Sequence, residues 1–351
     1  MGETPGGPIF LVGVGRSGTT MTRYMLSSHP GIYIPPESNF IPRFFRKHPS
    51  EPLSRERALR ILGEISTYGT FWRDWREEPL DANAFVDGLP SLTPASLIDG
   101  LYGRYARQYG AERWGDKSTI YPAWISLFAE MFPTCQIVHI IRDARDVTTS
   151  SLDAFRGARF FYMDPYYAAR MWRVRLGAGI AAGRRLPAGR YYEIRYEELT
   201  AEPEPQLRKL CDFLGEDFDP AMLAPNMEAS KHYHSFGIHT QTSRQVTAAR
   251  QGRWHKDLAP ADARIVQRVA GKLLRALDYP LEDLGKQSAS ERIRMLALQV
   301  KFVVLDTGRR VLRHLGIFNP ARLLLWLPRR RPRIQDAAER AAVAGANTDR
   351  R

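Results

Sequence analysis

The sequence predicts an α/β protein of three layers, a mostly parallel central sheet flanked by helices. Three observations carry this. PIFLVGV (8–14) and CQIVHIIR (135–142) are short, nearly unbroken apolar runs, the form taken by strands buried on both faces of a parallel sheet. Each runs straight into a helical pattern, and strand-like and helix-like stretches go on alternating to about residue 214. Between the first strand and the first helix stands a glycine-rich junction, GVGRSGTT (13–20), where backbone amides and a helix N-terminus converge.

The first helix is expected from about Gly18 to Ser28, with Met21, Tyr24, Met25 and Leu26 on one side and SSHPG marking its end. IYIPP (32–36) is a second short strand closed by prolines. Residues 38–112 read as a mostly helical insertion, within which FWRDWREEP (71–79) is expected to be a surface excursion such as a lid. STIYPAWISLFAEMFP (118–133) predicts a helix, from its Ser start, Pro122 in the first turn and apolar residues at 121, 124, 125, 128 and 132. The strand at 135–142 opens a helix with DARDV, whose acids suit the positive end of a helix dipole. An aromatic-rich helix near 165–183, a strand RYYEIRY (190–196) and a helix at about 204–214 follow. His139 lies inside a strand and is expected in the core.

The charge is unevenly placed. Of a net +13, the stretch from Arg292 to Arg333 supplies +10, from eleven lysines and arginines against one acid, Asp306. The body is therefore close to neutral and no nucleic-acid surface is expected there. The chain divides into a main domain over 1–284, a basic helical segment over 285–333, and an Ala-rich polar tail over 334–351 expected as disorder or a frayed helix. In the basic segment Leu296, Val300, Val303, Val304, Val311 and Leu315 make one helical stripe flanked by arginines, while Leu298, Phe302 and Leu305 fall on the other side. That pattern suits packing on the body, a second subunit or an anionic membrane face. No stretch reaches the roughly 18 apolar residues of a membrane span. The N-terminus, MGETPGGP, lacks a secretory pattern, and two cysteines in apolar surroundings, Cys135 and Cys211, fit a reducing compartment. The expectation is a cytoplasmic protein, at most peripheral to the inner face of the membrane.

GVGRSGTT differs from the nucleoside-triphosphate loop G-x-x-x-x-G-K-[ST] in one respect. Thr19 stands where the lysine should be, and the cation is Arg16, inside the bend. The loop amides and the hydroxyls of Ser17, Thr19 and Thr20 suit an anion. Without the lysine that reaches the β and γ phosphates, Arg16 suits a shorter, metal-free donor. The histidines at 232, 234, 239 and 255 lack acids or thiols at ligand spacing, so no metal site is expected.

The loop resembles the 5′-phosphosulfate loop of the sulfotransferases that use 3′-phosphoadenosine-5′-phosphosulfate (PAPS), which implies a P-loop-like fold. IIRDARDVTTSS resembles the second half of their signature, a strand ending in Arg with Ser eight residues later; Arg142 and Ser150 would hold the 3′-phosphate. The stretch from the loop through PPE is similar to the opening of the tyrosylprotein sulfotransferase branch. The resemblance implies Glu37 as catalytic base, twenty-one residues after Arg16, and Lys117 in WGDKST as the group that steadies the sulfuryl oxygens. It likewise implies Arg16 as catalytic cation, donor contacts from Arg16, Ser17, Gly18, Thr19 and Thr20, Tyr196 near the adenosine, and Gly252 and Arg253 in RQGRWHKDL covering the donor. The reaction so implied moves a sulfuryl group from PAPS to an acceptor hydroxyl on a carbohydrate, glycolipid, natural product or tyrosyl group, leaving PAP. The rivals are an ATP-dependent small-molecule kinase with a degenerate loop and a non-catalytic nucleotide-binding protein. The first lacks the loop lysine, and the second leaves Glu37, Arg16 and Lys117 without a purpose.

Overall fold

A computed structural model of the chain describes residues 6–77, 79–156, 163–225, 250–314 and 334–335. In chain order the elements are β1 (Ile9–Gly13), α1 (Thr19–Ser27), β2 (Ile32–Tyr33), α2 (Ile41–Phe45), α3 (Arg55–Ile65), β3 (Leu80–Asp81), α4 (Ala82–Asp87), α5 (Pro94–Arg107), β4 (Arg113–Ser118), α6 (Ile125–Met131) and β5 (Gln136–Ile141). There follow α7 (Ala144–Ala154), α8 (Pro165–Gly183), β6 (Tyr191–Arg195), α9 (Tyr196–Ala201), α10 (Pro203–Leu214), α11 (Trp254–Asp257), α12 (Pro260–Ala276), α13 (Ala289–His314) and β7 (Ile334–Gln335).

Five strands form one sheet in the order β2-β4-β1-β5-β6, every neighbouring pair parallel. β1 sits in the middle and is buried along its length. Its side chains alternate between two cores, as a strand's period of two requires. Phe10 and Val12 pack with Trp114, Tyr121 and Phe128 on one face; Ile9 and Leu11 pack with Met25, Leu26, Leu207 and Leu210 on the other. The Phe10 and Phe128 rings stack at 4.2 Å. A third core joins α7, α8 and α12 through Val147, Trp172, Val266 and Leu274.

Two expectations are overturned. Arg113–Ser118 is strand β4, inserted between β2 and β1, so Ser118 ends a strand instead of starting a helix. The helix that follows begins only at Ile125, after a single tighter turn over Tyr121–Trp124. β4 escaped notice because it carries Arg113, Asp116 and Lys117, all of them buried. Each has partners: Arg113 donates to the carbonyls of Gly7 (2.8 Å) and Leu214 (2.7 Å) and pairs with Glu216. The second is the excursion at 71–79. Phe71, Trp72 and Trp75 are core residues, and Asp74 pairs at 3.1 Å with the buried Arg23 of α1. This segment is an anchor, not a lid.

His139 is fully buried and bonded to the Tyr191 hydroxyl at 2.7 Å, and burial lowers its imidazole to about 3. It is a neutral core residue. α13 docks on α8 through Met295 and Phe302, with Leu298 packed beside them, and Phe302 lies against the rings of Tyr166 and Tyr167. Ile334–Gln335 pairs with Leu80–Asp81; the rest of the tail and Leu315 lie outside the described residues, as do His232, His234 and His239. No described helix is long and apolar enough to cross a membrane.

Candidate active site

Because the strands are parallel and in register, their carboxyl ends make one edge. Gly13 of β1 lies beside Ile140 of β5, Val12 beside Ser118 of β4, and Ile140 beside Ile194 of β6. Lys117 at the end of β4, and Arg16, Arg142 and Tyr196 in the segments that leave β1, β5 and β6, lie along that edge, the place where open α/β sheets bind ligands.

The loop turns sharply after Val14, whose carbonyl accepts from the Ser17 amide at 3.1 Å. Arg16 takes a left-handed backbone, φ 73°, uncommon for a residue with a side chain. Gly18 has φ 98°, and a Cβ there would stand 2.5 Å from the Tyr196 ring, so both the conformation and the close approach require glycine. Helix α1 then starts with buried Thr19 and Thr20, no acid in its first turn and no side chain capping its amides. Its positive end is left for an anion.

Three arginines gather there. The Arg16 Nε donates to Ser150 Oγ at 3.0 Å. Arg142 donates to the carbonyls of Arg16 (3.1 Å) and Arg250 (2.7 Å), and its guanidinium lies 4.1 Å over the Tyr196 ring. Its Nε is buried and finds no hydrogen-bond partner among the described residues. Burial, then the charges of Arg142 and Arg250, lower Arg16 to about 10. Cations that oppose one another in a buried place, with an orphaned donor among them, fit an anionic ligand. Asp146 accepts from the amides of Gly252 (2.8 Å) and Trp254 (3.0 Å) and so ties residues 250–254 across this edge. Gly252 is thereby brought to the group. Arg253 is engaged elsewhere, by Asp257 (2.8 Å) and Asp153 (3.0 Å), and the residue that reaches Arg142 is Arg250.

A second group adjoins the first, since a Cβ on Gly15 would stand 3.9 Å from that of Thr119. Glu37 lies just past β2. Its carboxylate accepts from Lys117 Nζ (3.1 Å), from the Thr119 amide (3.1 Å) and hydroxyl (3.2 Å), and from Ser118 Oγ (3.3 Å). Burial works to raise the Glu37 carboxyl, but Lys117 and Thr119 outweigh it and hold it below the usual range. The Lys117 side chain is 1% exposed and that of Glu37 21%, so the carboxylate is the open member of the pair.

Behind this pair stands Asp116, unforeseen from the sequence. It points to the other face of β4. Its Oδ2 accepts from Ser38 Oγ (2.9 Å) and the Tyr121 hydroxyl (2.6 Å). Ser38 follows Glu37 and Asp116 precedes Lys117, so one buried carboxylate pins both chain segments. Burial raises it to about 6. Between the unfolded carboxylate value and that point the native state binds a proton that the unfolded chain has lost. This contribution to stability is present at low pH and is lost as pH rises through about 6. Asp116→Asn removes the titration. Relative to that variant, the parent is expected to lose on the order of 3 kcal/mol between pH 4 and 7, read from urea unfolding at several pH values. Parallel pH dependences of parent and variant would contradict it.

Among the described residues no cluster of His, Cys, Asp and Glu has the arrangement to hold a metal ion.

A family model described as "Sulfotransferase family" matches residues 8–220, which takes in Arg16, Glu37, Lys117, Arg142 and Tyr196 and ends before Arg250. Protein-tyrosine sulfotransferase A of Caenorhabditis elegans is 22% identical over 61% of this chain and 51% of its own, and an uncharacterized protein of Aquifex aeolicus is 26% identical over 59% and 25%. The chain thus spans only a quarter to a half of the length of these relatives. Among solved structures, the sulfotransferase domain of the Synechococcus PCC 7002 olefin synthase superposes with a TM-score of 0.53 at 25% identity, covering 78% of this chain and 95% of that one. The sulfotransferase domain from the curacin biosynthetic pathway gives 0.54 at 22%, over 79% and 99%.

Proposed function

The chain belongs to the sulfotransferase family, and from that premise we propose that it moves a sulfuryl group in line from PAPS to an acceptor hydroxyl. The observation that carries this is the convergence of Arg16, Arg142 and Arg250 on the open end of α1, next to the Glu37–Lys117 pair. Bound PAPS supplies an activated sulfuryl group on a nucleotide phosphate. The amides from Ser17 to Thr20 and the Thr19 and Thr20 hydroxyls hold its 5′ end. Arg142 and Ser150 hold the 3′-phosphate, Tyr196 lies by the adenosine, and Gly252 and Arg253 belong to the segment that covers it. Arg16 answers the charge that develops on the leaving phosphate oxygen. Lys117 steadies the sulfuryl oxygens, and Glu37, already ionised, takes the acceptor proton.

The relatives named protein-tyrosine sulfotransferases favour a tyrosyl acceptor, and a carbohydrate, glycolipid or natural-product hydroxyl can give its proton to the Glu37 carboxylate in the same way. We assign 1–284 to the transferase domain and α13 to an appended segment. The buried, unpaired thiols of Cys135 and Cys211 suit a reducing cytoplasm.

Calorimetry tests the donor. PAP is expected to bind without Mg²⁺, and ATP, which lacks a 3′-phosphate, to bind at least ten-fold more weakly with or without it, because Arg142, although paired with Asp146 at 3.6 Å, then keeps a buried Nε without an acceptor. Tight ATP binding that depends on Mg²⁺ would move the protein to the kinases.

A further inference from the structure

Helix α13 has two apolar faces, and only one is used. At about 100° per residue, Met295, Leu298 and Phe302 fall together on one side, and that side is packed on the body. Glu291, in the first turn, fixes the docking through Arg264, whose Nε donates to it at 3.2 Å. On the opposite side Ile293, Leu296, Val300, Val303, Val304 and Val311 form a stripe about 100° wide. These six are 50% to 69% exposed. Large exposed hydrophobics are otherwise scarce among the described residues: besides Leu305, which borders the docked face, only Val174 is comparable. Isolated exposed apolar residues need no explanation, but five in a row over three turns of one helix, with Val311 two turns further on, do.

The flanks of the stripe are basic. Arg292 lies on one side and Arg294 and Lys301 on the other, all three exposed. Over its length α13 carries six lysines and arginines against two acids, Glu291 and Asp306. The chain beyond it adds Arg322, Arg329, Arg330, Arg331 and Arg333 before the next acid, Asp336. A second copy docked on this stripe would bring the basic flanks of two such helices together, which opposes the contact. An anionic lipid surface has the complementary charge and an apolar layer beneath it. With no described helix able to cross a bilayer, the geometry is that of a helix lying in the interface.

We propose that the outer stripe of α13 seats the protein on an anionic membrane surface. The docked inner face then fixes the orientation of the sheet relative to that surface. The inference does not depend on the reaction, since it rests on α13 alone.

Flotation of the full chain tests it, with vesicles of phosphatidylcholine alone and of phosphatidylcholine mixed with phosphatidylglycerol, at low and high salt. The parent is expected to float with the mixed vesicles at low salt, much less at high salt, and not with the neutral ones. A triple variant, Leu296→Gln, Val300→Gln and Val303→Gln, alters only exposed positions. It is expected to lose at least ten-fold in vesicle association while its unfolding midpoint and PAP affinity stay at the parent's values. The proposal fails if the parent ignores the anionic vesicles or if the triple variant floats as the parent does. It fails also if sedimentation shows a parent dimer that the variant turns into monomer while flotation is absent in both, which would assign the stripe to a second copy.

Discussion

Glu37→Gln is expected to lower single-turnover sulfuryl transfer by about 10² to 10⁴ while leaving the affinity for PAP almost unchanged. The substitution keeps the shape and can still accept from Thr119, but it removes the proton acceptor. The arginine group that binds the donor is untouched, which separates the two readouts. The pH dependence sharpens the test. Lys117 and Thr119 hold the Glu37 carboxyl below the ordinary glutamate value, so it is ionised at neutral pH and the acid limb of the rate profile should lie below that value. Lys117→Ala leaves the carboxylate half-buried without its cation and should move that limb upward, together with a loss of turnover. A Glu37→Gln enzyme that transfers sulfate at the parent rate would put the base elsewhere and leave the donor site standing.

Arg142→Lys is expected to weaken PAP binding by roughly 10- to 100-fold, and to weaken binding of adenosine 5′-phosphate, which has no 3′-phosphate, far less. Charge is kept, so the loss reports geometry. The guanidinium of Arg142 does three things at once: its two Nη atoms hold the carbonyls of Arg16 and Arg250, its plane lies on Tyr196, and its Nε is left over. An ammonium is a point donor and cannot keep all three directions. Arg16→Ala should behave otherwise, lowering turnover as well as affinity, because it meets the donor in the ground state and at the transition state. Calorimetry with the two nucleotides distinguishes them; equal losses for both nucleotides in Arg142→Lys would place the 3′-phosphate away from Arg142.

The parts of the molecule that were legible beforehand are those whose burial is written in apolar residues. β1, β5 and α1 stand where PIFLVGV, CQIVHIIR and the stripe of Tyr24, Met25 and Leu26 predict them. β4 was not legible. Arg113, Asp116 and Lys117 read as a solvated stretch, and only the folded chain supplies the carbonyls, hydroxyls and carboxylate that make their burial possible. With β4 missing, the strand order was out of reach too. The tryptophans of FWRDWREEP read as surface because charges sit between them, whereas Asp74 and Arg23 satisfy one another inside. The spacings of Glu37, Lys117 and Arg142 from the loop were visible only through a resemblance. Thr119, Ser38 and Asp116, which tie Glu37 in place, carry no signal a single sequence offers. Arg250 opens a stretch, RQGRWHKDL, in which the resemblance singled out Gly252 and Arg253 instead.

The left-handed backbone of Arg16 has a consequence for the protein without its ligand. An ordinary side chain in that conformation, crowded by two further cations, is a standing weakness in the resting fold, on the order of 1 kcal/mol for the backbone alone. The donor relieves the crowding by bringing negative charge, so the loaded protein should melt above the empty one by the margin that its affinity and concentration set. Asn, which tolerates the same backbone and carries no charge, would make the empty fold more robust at position 16 and leave it with little use for a nucleotide. Selection for heat tolerance alone would therefore be drawn to residue 16, and the variants it collects there should be the inactive ones.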